Sequence, residues 1–421
     1  MSFNSTRNQT MKQFKVLAIA LFFALTSCSL IHQLKNNVSP KKQKYVVMLS
    51  MDGCRWDYPH RGDLPALVQF GEEGVKSEIV PSFPSKTFPN HYSMVTGLYP
   101  GSHGLVSNSF YDPETDRYYA IQNRKTVEDG SFYGGEPIWN TAVKQGQKAF
   151  SYYWVGSEAD IQGMHPTRYK IYDQNDSFES RVDSVISWLA LPESQRPNLI
   201  TWYFHEPDGK GHHYGPDSPE LNNTLVNLNG LIDDFLTKLA ALPNADEINV
   251  IITSDHGMSP VSPDKVTFLD DFVDKAWIDT TLGYSPITQI YPKDNFVDSI
   301  FTHLSQSEHL KVYKRGEFPE RYHYNSNPRI APIFVEADSA WSLAWRRDFN
   351  PKYFSLGAHG MDPSNRDVHA IFYAKGPAFK SVYLHPVFEN VNLYPLIAEI
   401  LGLTPAPVDG KLENVKGMLK D

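Results

Sequence analysis

A chain of 421 residues can hold one large domain or about two or three ordinary ones, and a hydrophobic content of 41% supports a sizeable core, which excludes a disordered protein. A formal net charge of −9 excludes a broad basic face, so no nucleic-acid-binding surface is expected. With only Cys28 and Cys54, a disulfide framework is excluded as well.

The first element in chain order is a targeting segment. Lys12 and Lys15 precede an apolar run from Val16 to Leu25, which is too short for a permanent membrane span and has signal-peptide proportions. The run closes on Leu25-Thr26-Ser27-Cys28, which is similar to a bacterial lipobox. Residues 1–27 are therefore expected to be a lipoprotein signal peptide, with Cys28 carrying the lipid. The exported chain would then be anchored to a bacterial membrane, facing the periplasm or cell exterior. Residues 28–43 are polar and read as a tether, and residues 44–421 as a single domain.

That domain opens on a continuous apolar run, Tyr45 to Ser50, of the kind a strand buried on both faces requires. Similar runs follow at Phe150–Val155, Leu199–Phe204, Ile248–Thr253 and Val368–Ala374. Helical periods lie between them at Leu64–Glu73, Pro89–Thr96, Pro137–Lys144, Ser180–Leu189 and Leu221–Leu242. The alternation predicts an α/β fold with a mostly parallel sheet and helices on both sides. From about residue 260 to 353 the long periods stop, and an irregular insertion over the site is expected. A last helix, Val391–Leu401, ends at Gly402 with Pro405 beyond it.

Several of these runs end in residues that carry chemistry. Asp52 follows the first strand, Asp255 and His256 follow Ile248–Thr253, and Asp208 and His212 sit one helical turn apart in HEPDGKGHHYGP. His359 lies in LGAHGMD and Thr87 in FPSKTFPNH. The carboxyl ends of strands in an open α/β sheet are where ligands and catalytic groups collect. Zinc takes imidazole nitrogen and carboxylate oxygen, and a catalytic zinc keeps one position open. Taken singly, an Asp at a strand end more often caps a helix, and Thr87 reads equally as an N-cap. Taken together, each beside a glycine or a helix start, they point to one metal-dependent site in which the Thr87 hydroxyl is a nucleophile at an anion-attracting helix N-terminus.

The density of motifs is similar to that of one family. MDGCRWDY, PSFPSKTFPNHYSMVTGLYPGSHGLVSNSFYDP, EPIWNTA, WVGSEA, SDHGM, AHGMD, AIFYAKGPAFK and LYPLIAEILGLTPAPVDG, in this order, resemble the nucleotide pyrophosphatase/phosphodiesterase family of the alkaline phosphatase superfamily, over nearly all of the chain from Tyr45 to Met418. The resemblance implies an α/β/α sandwich, two zinc ions per chain, and a phosphodiesterase domain. Asp208, His212 and His359 would hold one ion; Asp52, Thr87, Asp255 and His256 would hold the other. Asn108 and the Phe88 backbone N–H would bind the phosphoryl oxygen. Phe88, Trp154, Tyr172 and Tyr203 would line a nucleotide slot, although Trp154 and Tyr203 also suit plain core positions. The implied reaction is zinc-dependent hydrolysis of nucleotide phosphodiester or pyrophosphate bonds through a phospho-threonyl intermediate, releasing nucleoside 5′-monophosphates. Three other readings share the motifs: a glycerophosphodiesterase acting on choline head groups, an alkaline phosphatase-like phosphomonoesterase, and a lipid-anchored binding protein without activity.

Overall fold

The structure is a computed structural model, and it describes residues 44–420. The signal peptide, the tether and Cys28 lie outside the described residues. Among the described residues no helix is long and apolar enough to cross a membrane.

The central strand is Tyr45–Met51, whose seven residues are all buried. Strands Leu199–Phe204 and Ile248–Thr253 flank it, both parallel to it, with Ser50 level with Tyr203 on one side and Thr253 on the other. Ala149–Tyr152 and then Arg168–Lys170 extend the sheet beyond Leu199–Phe204. Beyond Ile248–Thr253 come Ala370–Lys375, Val75–Val80 and the short Tyr383–Leu384, making nine strands with Phe388–Glu389. Only Ala370–Lys375 runs against its neighbours, pairing antiparallel with both. The sheet is thus mostly parallel, as the alternating pattern requires.

Alternate residues of the central strand feed two different cores, because successive side chains leave a strand on opposite faces. Val46 and Met48 pack with the helices Thr87–Thr96, Ile138–Lys144 and Leu393–Leu401. Tyr45, Val47, Leu49 and Met51 pack with Pro65–Glu73, Phe178–Leu189 and Pro219–Ala240. The result is the α/β/α sandwich. Helix starts carry side-chain caps where the sequence offers them: Ser177 accepts from Ser180 N, and Ser218 from Leu221 N.

The segment expected to be irregular has order of its own. Strands Ile278–Leu282, Ile287–Pro292, Ile333–Ala337 and Leu310–Lys314 form an antiparallel sheet in that spatial order. The helix Val297–Leu304 packs with it around a separate apolar core containing Ile290, Ile300 and Val335. Its strands are five or six residues long, and the buried inner ones carry Thr288, Gln289 and Glu336, so they leave no long apolar run to read.

Candidate active site

Three neighbouring strands end at one level, and the chain turns there. Asp52 directly follows Met51, Asp208 opens the short helix Asp208–Tyr214, and Asp255 with His256 follows Thr253. The Asp208 N–H donates to Asp52 O at 3.0 Å, tying two of these turns together. Gly53 makes the approach possible: its φ is +68°, and a Cβ there would lie 3.0 Å from the Asp208 Cα. Its N–H donates to Asp255 Oδ1 at 3.2 Å.

The histidines arrive already oriented. His212 Nδ1–H donates to Gly357 O at 2.8 Å, His256 Nδ1–H to Gly257 O at 2.9 Å, and His359 Nδ1–H to Ser85 O at 2.7 Å. A carbonyl can only accept, so each Nδ1 carries the proton and each Nε2 presents a lone pair when the ring is neutral; burial lowers the His256 imidazole, but Asp255 outweighs it and raises it above its ordinary value. Those lone pairs converge: His359 Nε2 is 3.0 Å from His212 Nε2 and 3.5 Å from Asp208 Oδ1. His212 Nε2 is 3.4 Å from Asp208 Oδ1, and His256 Nε2 lies 3.0 Å from Asp255 Oδ2 and 3.5 Å from Asp52 Oδ1.

Acceptors facing acceptors are what a cation site looks like. Asp52 Oδ1, Asp208 Oδ1 and Asp255 Oδ2 are buried atoms that receive no hydrogen bond. Two groups have ligand atoms within 4.8 Å of one another: Asp208, His212 and His359, and Asp52, Asp208 and His256. Asp208 belongs to both, whereas the sequence places it in one set only. The donor set is nitrogen and carboxylate oxygen with an outer carbonyl on each imidazole, which fits zinc. Cys54, the sole described cysteine, is buried, and burial pushes its thiol far above the usual range.

Charge in the cluster is unevenly held. Burial, with Asp255 and Asp208 nearby, pushes the Asp52 carboxyl well above its ordinary value. Burial acts the same way on Asp255, but His256 and His91 outweigh it and hold that carboxyl well below its ordinary range. His91 is a residue the motif reading left without a role. Its Nδ1–H donates to Thr87 O at 3.0 Å and lies 3.2 Å from Asp255 Oδ2, and its Nε2 is 2.9 Å from Ser50 Oγ. It therefore braces Asp255 from the helix that also carries Thr87.

Thr87 is the first residue of the helix Thr87–Thr96, after Lys86 at the N-cap position. Its hydroxyl caps nothing; Oγ1 lies 3.3 Å from His256 Nε2. The Phe88 N–H donates to Asn108 Oδ1 at 3.0 Å, so these two expected phosphoryl contacts hold each other, and Asn108 keeps its amide N–H groups as the available donors. Thr87, Asn108, Asp208, His212 and His359 line one cavity of about 310 Å³.

Lys86 lines that cavity too, and no sequence argument picked it out. It is 9% exposed, and its stem lies against Gly360, where a Cβ would come within 2.5 Å of Lys86 Cε. Burial lowers the ammonium to about 8, against the pull of Asp208, so it remains charged at neutral pH.

The expected aromatic slot divides. Trp154 is 1% exposed and donates Nε1–H to His91 O at 3.0 Å; of the two readings open for it, core position and slot wall, its burial fits the core position. Tyr203 gives its hydroxyl to Asp52 Oδ2 at 2.5 Å and lays its ring edge-on to His91, with centroids 5.2 Å apart. Phe88 and Tyr172 are partly exposed, and Tyr172 lies 6.5 Å from Tyr203 between centroids. Replacing Tyr203 by Phe is expected to keep the fold and lower kcat about threefold to tenfold, since one charge-assisted hydrogen bond to Asp52 is lost. Steady-state kinetics with a melting curve as control would check it, and an unchanged kcat would mean the hydroxyl is idle.

Carboxylates and imidazoles gathered at the strand ends of an α/β/α sandwich, around a hydroxyl at a helix start, define a hydrolase of the alkaline phosphatase-like class. Residues 46–362 match the family described as type I phosphodiesterase / nucleotide pyrophosphatase, and the chain belongs to that family. Human ectonucleotide pyrophosphatase/phosphodiesterase family member 5 is 33% identical over 96% of this chain and 83% of its own length. The mouse bis(5′-adenosyl)-triphosphatase enpp4 is 36% identical over 98% of this chain and 88% of its own. The solved murine ectonucleotide pyrophosphatase/phosphodiesterase 5, as an inactive threonine-to-alanine variant in complex with AMP, superposes with a TM-score of 0.85 at 34% identity, covering 90% of this chain and all of that one. The chain is accordingly an enzyme of the nucleotide pyrophosphatase/phosphodiesterase type.

Proposed function

We propose that this enzyme hydrolyses nucleotide phosphodiester and pyrophosphate bonds with two zinc ions, through a phospho-threonyl intermediate on Thr87, and releases nucleoside 5′-monophosphates. The observation that carries the reading is the Thr87 hydroxyl, free of any capping role and beside His256, facing two overlapping groups of inward-pointing acceptors. Asp208, His212 and His359 would hold one zinc, and Asp52, Asp255 and His256 with Thr87 the other, Asp208 being within reach of both. Bound zinc would neutralise phosphate charge and ease loss of a proton from a hydroxyl or water.

The chain's own groups do the rest. Thr87 Oγ attacks phosphorus as the bond to the leaving oxygen breaks, giving a phospho-threonyl ester that still carries the nucleoside and freeing the departing half. Water then cleaves the Oγ–P bond, which restores the hydroxyl and frees the monophosphate. Asn108 offers amide N–H groups to a non-bridging oxygen, and the first turn of the helix adds its positive end. Phe88 and Tyr172 give the base a surface on which stacking is largely indifferent to base identity. The names of the relatives agree: one is called a bis(5′-adenosyl)-triphosphatase, and a solved variant holds AMP.

Lys86 refines the substrate. A buried cation in the same cavity as Asp208 suits a leaving group that carries phosphate charge and opposes one that carries a quaternary ammonium. With the zinc-loaded protein, dinucleoside polyphosphates and nucleoside triphosphates are expected to exceed glycerophosphocholine and simple monoesters in kcat/KM by about tenfold or more. Product analysis should find the nucleoside 5′-monophosphate. A panel in which glycerophosphocholine or a monoester leads would overturn the nucleotide reading.

The apolar run before Cys28 supports export and lipidation, so the mature chain is proposed to begin at a lipidated Cys28, anchored to a bacterial membrane with the domain on the periplasmic or exterior side. Mass spectrometry of the mature N-terminus tests this, as does fractionation of a Cys28→Ala variant. An unmodified start elsewhere would sink it.

A further inference from the structure

The cavity has a second wall that the chemistry at phosphorus does not use. It is the hairpin turn between Ile278–Leu282 and Ile287–Pro292, whose residues Gly283, Tyr284 and Ser285 share the cavity with Thr87, Asn108 and His359. Tyr284 is 81% exposed, and among the described residues its side chain makes no hydrogen bond or aromatic ring contact. A single exposed aromatic is ordinary in itself. Its setting is what gives it meaning.

The hairpin is held firmly to the site. Gln289, 1% exposed, donates Nε2–H to Ser109 O at 2.7 Å, next to Asn108. The Tyr111 N–H donates to Tyr291 Oη at 3.2 Å, and the Ala337 N–H to Pro286 O at 2.8 Å. The ring is therefore presented from a fixed backbone, which lowers the entropy cost of stacking against it. Phe88 and Tyr172, the surfaces assigned above to the transferred nucleotide, are absent from the lining of this cavity. The donor group Asp208 and His212, with Lys86, is present in it. The space thus opens beside Thr87 on a side that the nucleotide surface does not line, which leaves it open to the departing half.

We propose that Tyr284 determines specificity for the leaving half: its ring stacks on a planar group there, such as the second nucleobase of a dinucleoside polyphosphate. This rests on the nucleotide reading. The test compares two substrates with the same transferred nucleotide, a dinucleoside polyphosphate and a nucleoside triphosphate, on zinc-loaded full-length enzyme. Tyr284→Ala is expected to lower kcat/KM for the dinucleotide about fivefold to fiftyfold, mainly through KM, the range that base–aromatic stacking supplies. The triphosphate should change less than about twofold, and Tyr284→Phe should restore the dinucleotide rate. Equal losses on both substrates, or no loss on either, would overturn the assignment. A wild-type enzyme that cleaves neither substrate refutes the nucleotide reading and this proposal with it, and that failure shows before any variant is made.

Discussion

Thr87→Ala is expected to lower kcat by about three orders of magnitude or more while leaving the fold and at least the zinc of Asp208, His212 and His359 in place, because it removes the attacking atom. The usual objection to such a test is that a threonine at a helix start caps it. Here the cap position belongs to Lys86, and the Thr87 side chain accepts no backbone hydrogen bond. The turn is secured from elsewhere: Asn90 Nδ2 donates to Lys86 O at 2.8 Å and to Pro84 O at 3.0 Å, and the Ser82 N–H donates to Asn90 Oδ1 at 2.7 Å. Loss of the hydroxyl therefore costs one 3.3 Å contact to His256 and no helix stability of consequence. Thr87→Ser keeps the nucleophile with a freer rotamer and should retain a reduced, measurable rate. Single-turnover mass spectrometry should find a nucleoside 5′-phosphoryl group on Thr87 in the wild type and none in the Ala variant. An Ala variant with near wild-type turnover would show that water alone attacks.

The strand ends were legible because burial on both faces writes an uninterrupted apolar run, as in Tyr45–Ser50, and the residue after such a run must lie at the edge where chain ends meet. That logic reaches Asp52, Asp208, Asp255 and His256 without coordinates. It does not reach Val75–Val80, where Lys76 and Glu78 alternate with buried Val75, Ser77 and Ile79, and the strand reads as a polar stretch. Nor does it reach Lys86 and His91. Each flanks a recognised motif residue, but what gives it meaning is a distant partner: Asp208 and Gly360 for Lys86, Asp255 for His91. Trp154 marks another limit: the sequence leaves it open between core and slot, because whether a ring faces a ligand or the underside of a helix depends on packing, which here gives its Nε1 a bond to His91 O. The sheet in the 260–353 segment escaped notice because strands of five or six residues, interrupted by Thr288, Gln289 and Glu336, match no period long enough to stand out.

Chelation is expected to abolish activity and to lower the melting temperature by about 5 °C or more, with zinc restoring both. The argument starts from repulsion. Three Nε2 lone pairs and the unpaired oxygens of Asp52, Asp208 and Asp255 face one another, and burial already forces the Asp52 carboxyl towards its protonated form. Remove the cations and these acceptors have only each other; supply them and each acceptor gains a partner, so binding stabilises the folded chain by mass action. Titration should reach two zinc ions per chain. Substitutions sort the two places: His212→Ala touches only the group with Asp208 and His359 and should lose one ion, whereas Asp208→Asn, shared between both groups, should weaken both. Melting curves with and without zinc, alongside metal analysis, read this independently of catalysis. A chelated enzyme that keeps its rate, or a folded, zinc-replete chain that holds one ion or none, would refute the two-metal assignment. If His212→Ala instead removed both ions, the two places would be coupled through Asp208 more tightly than their separate histidines imply.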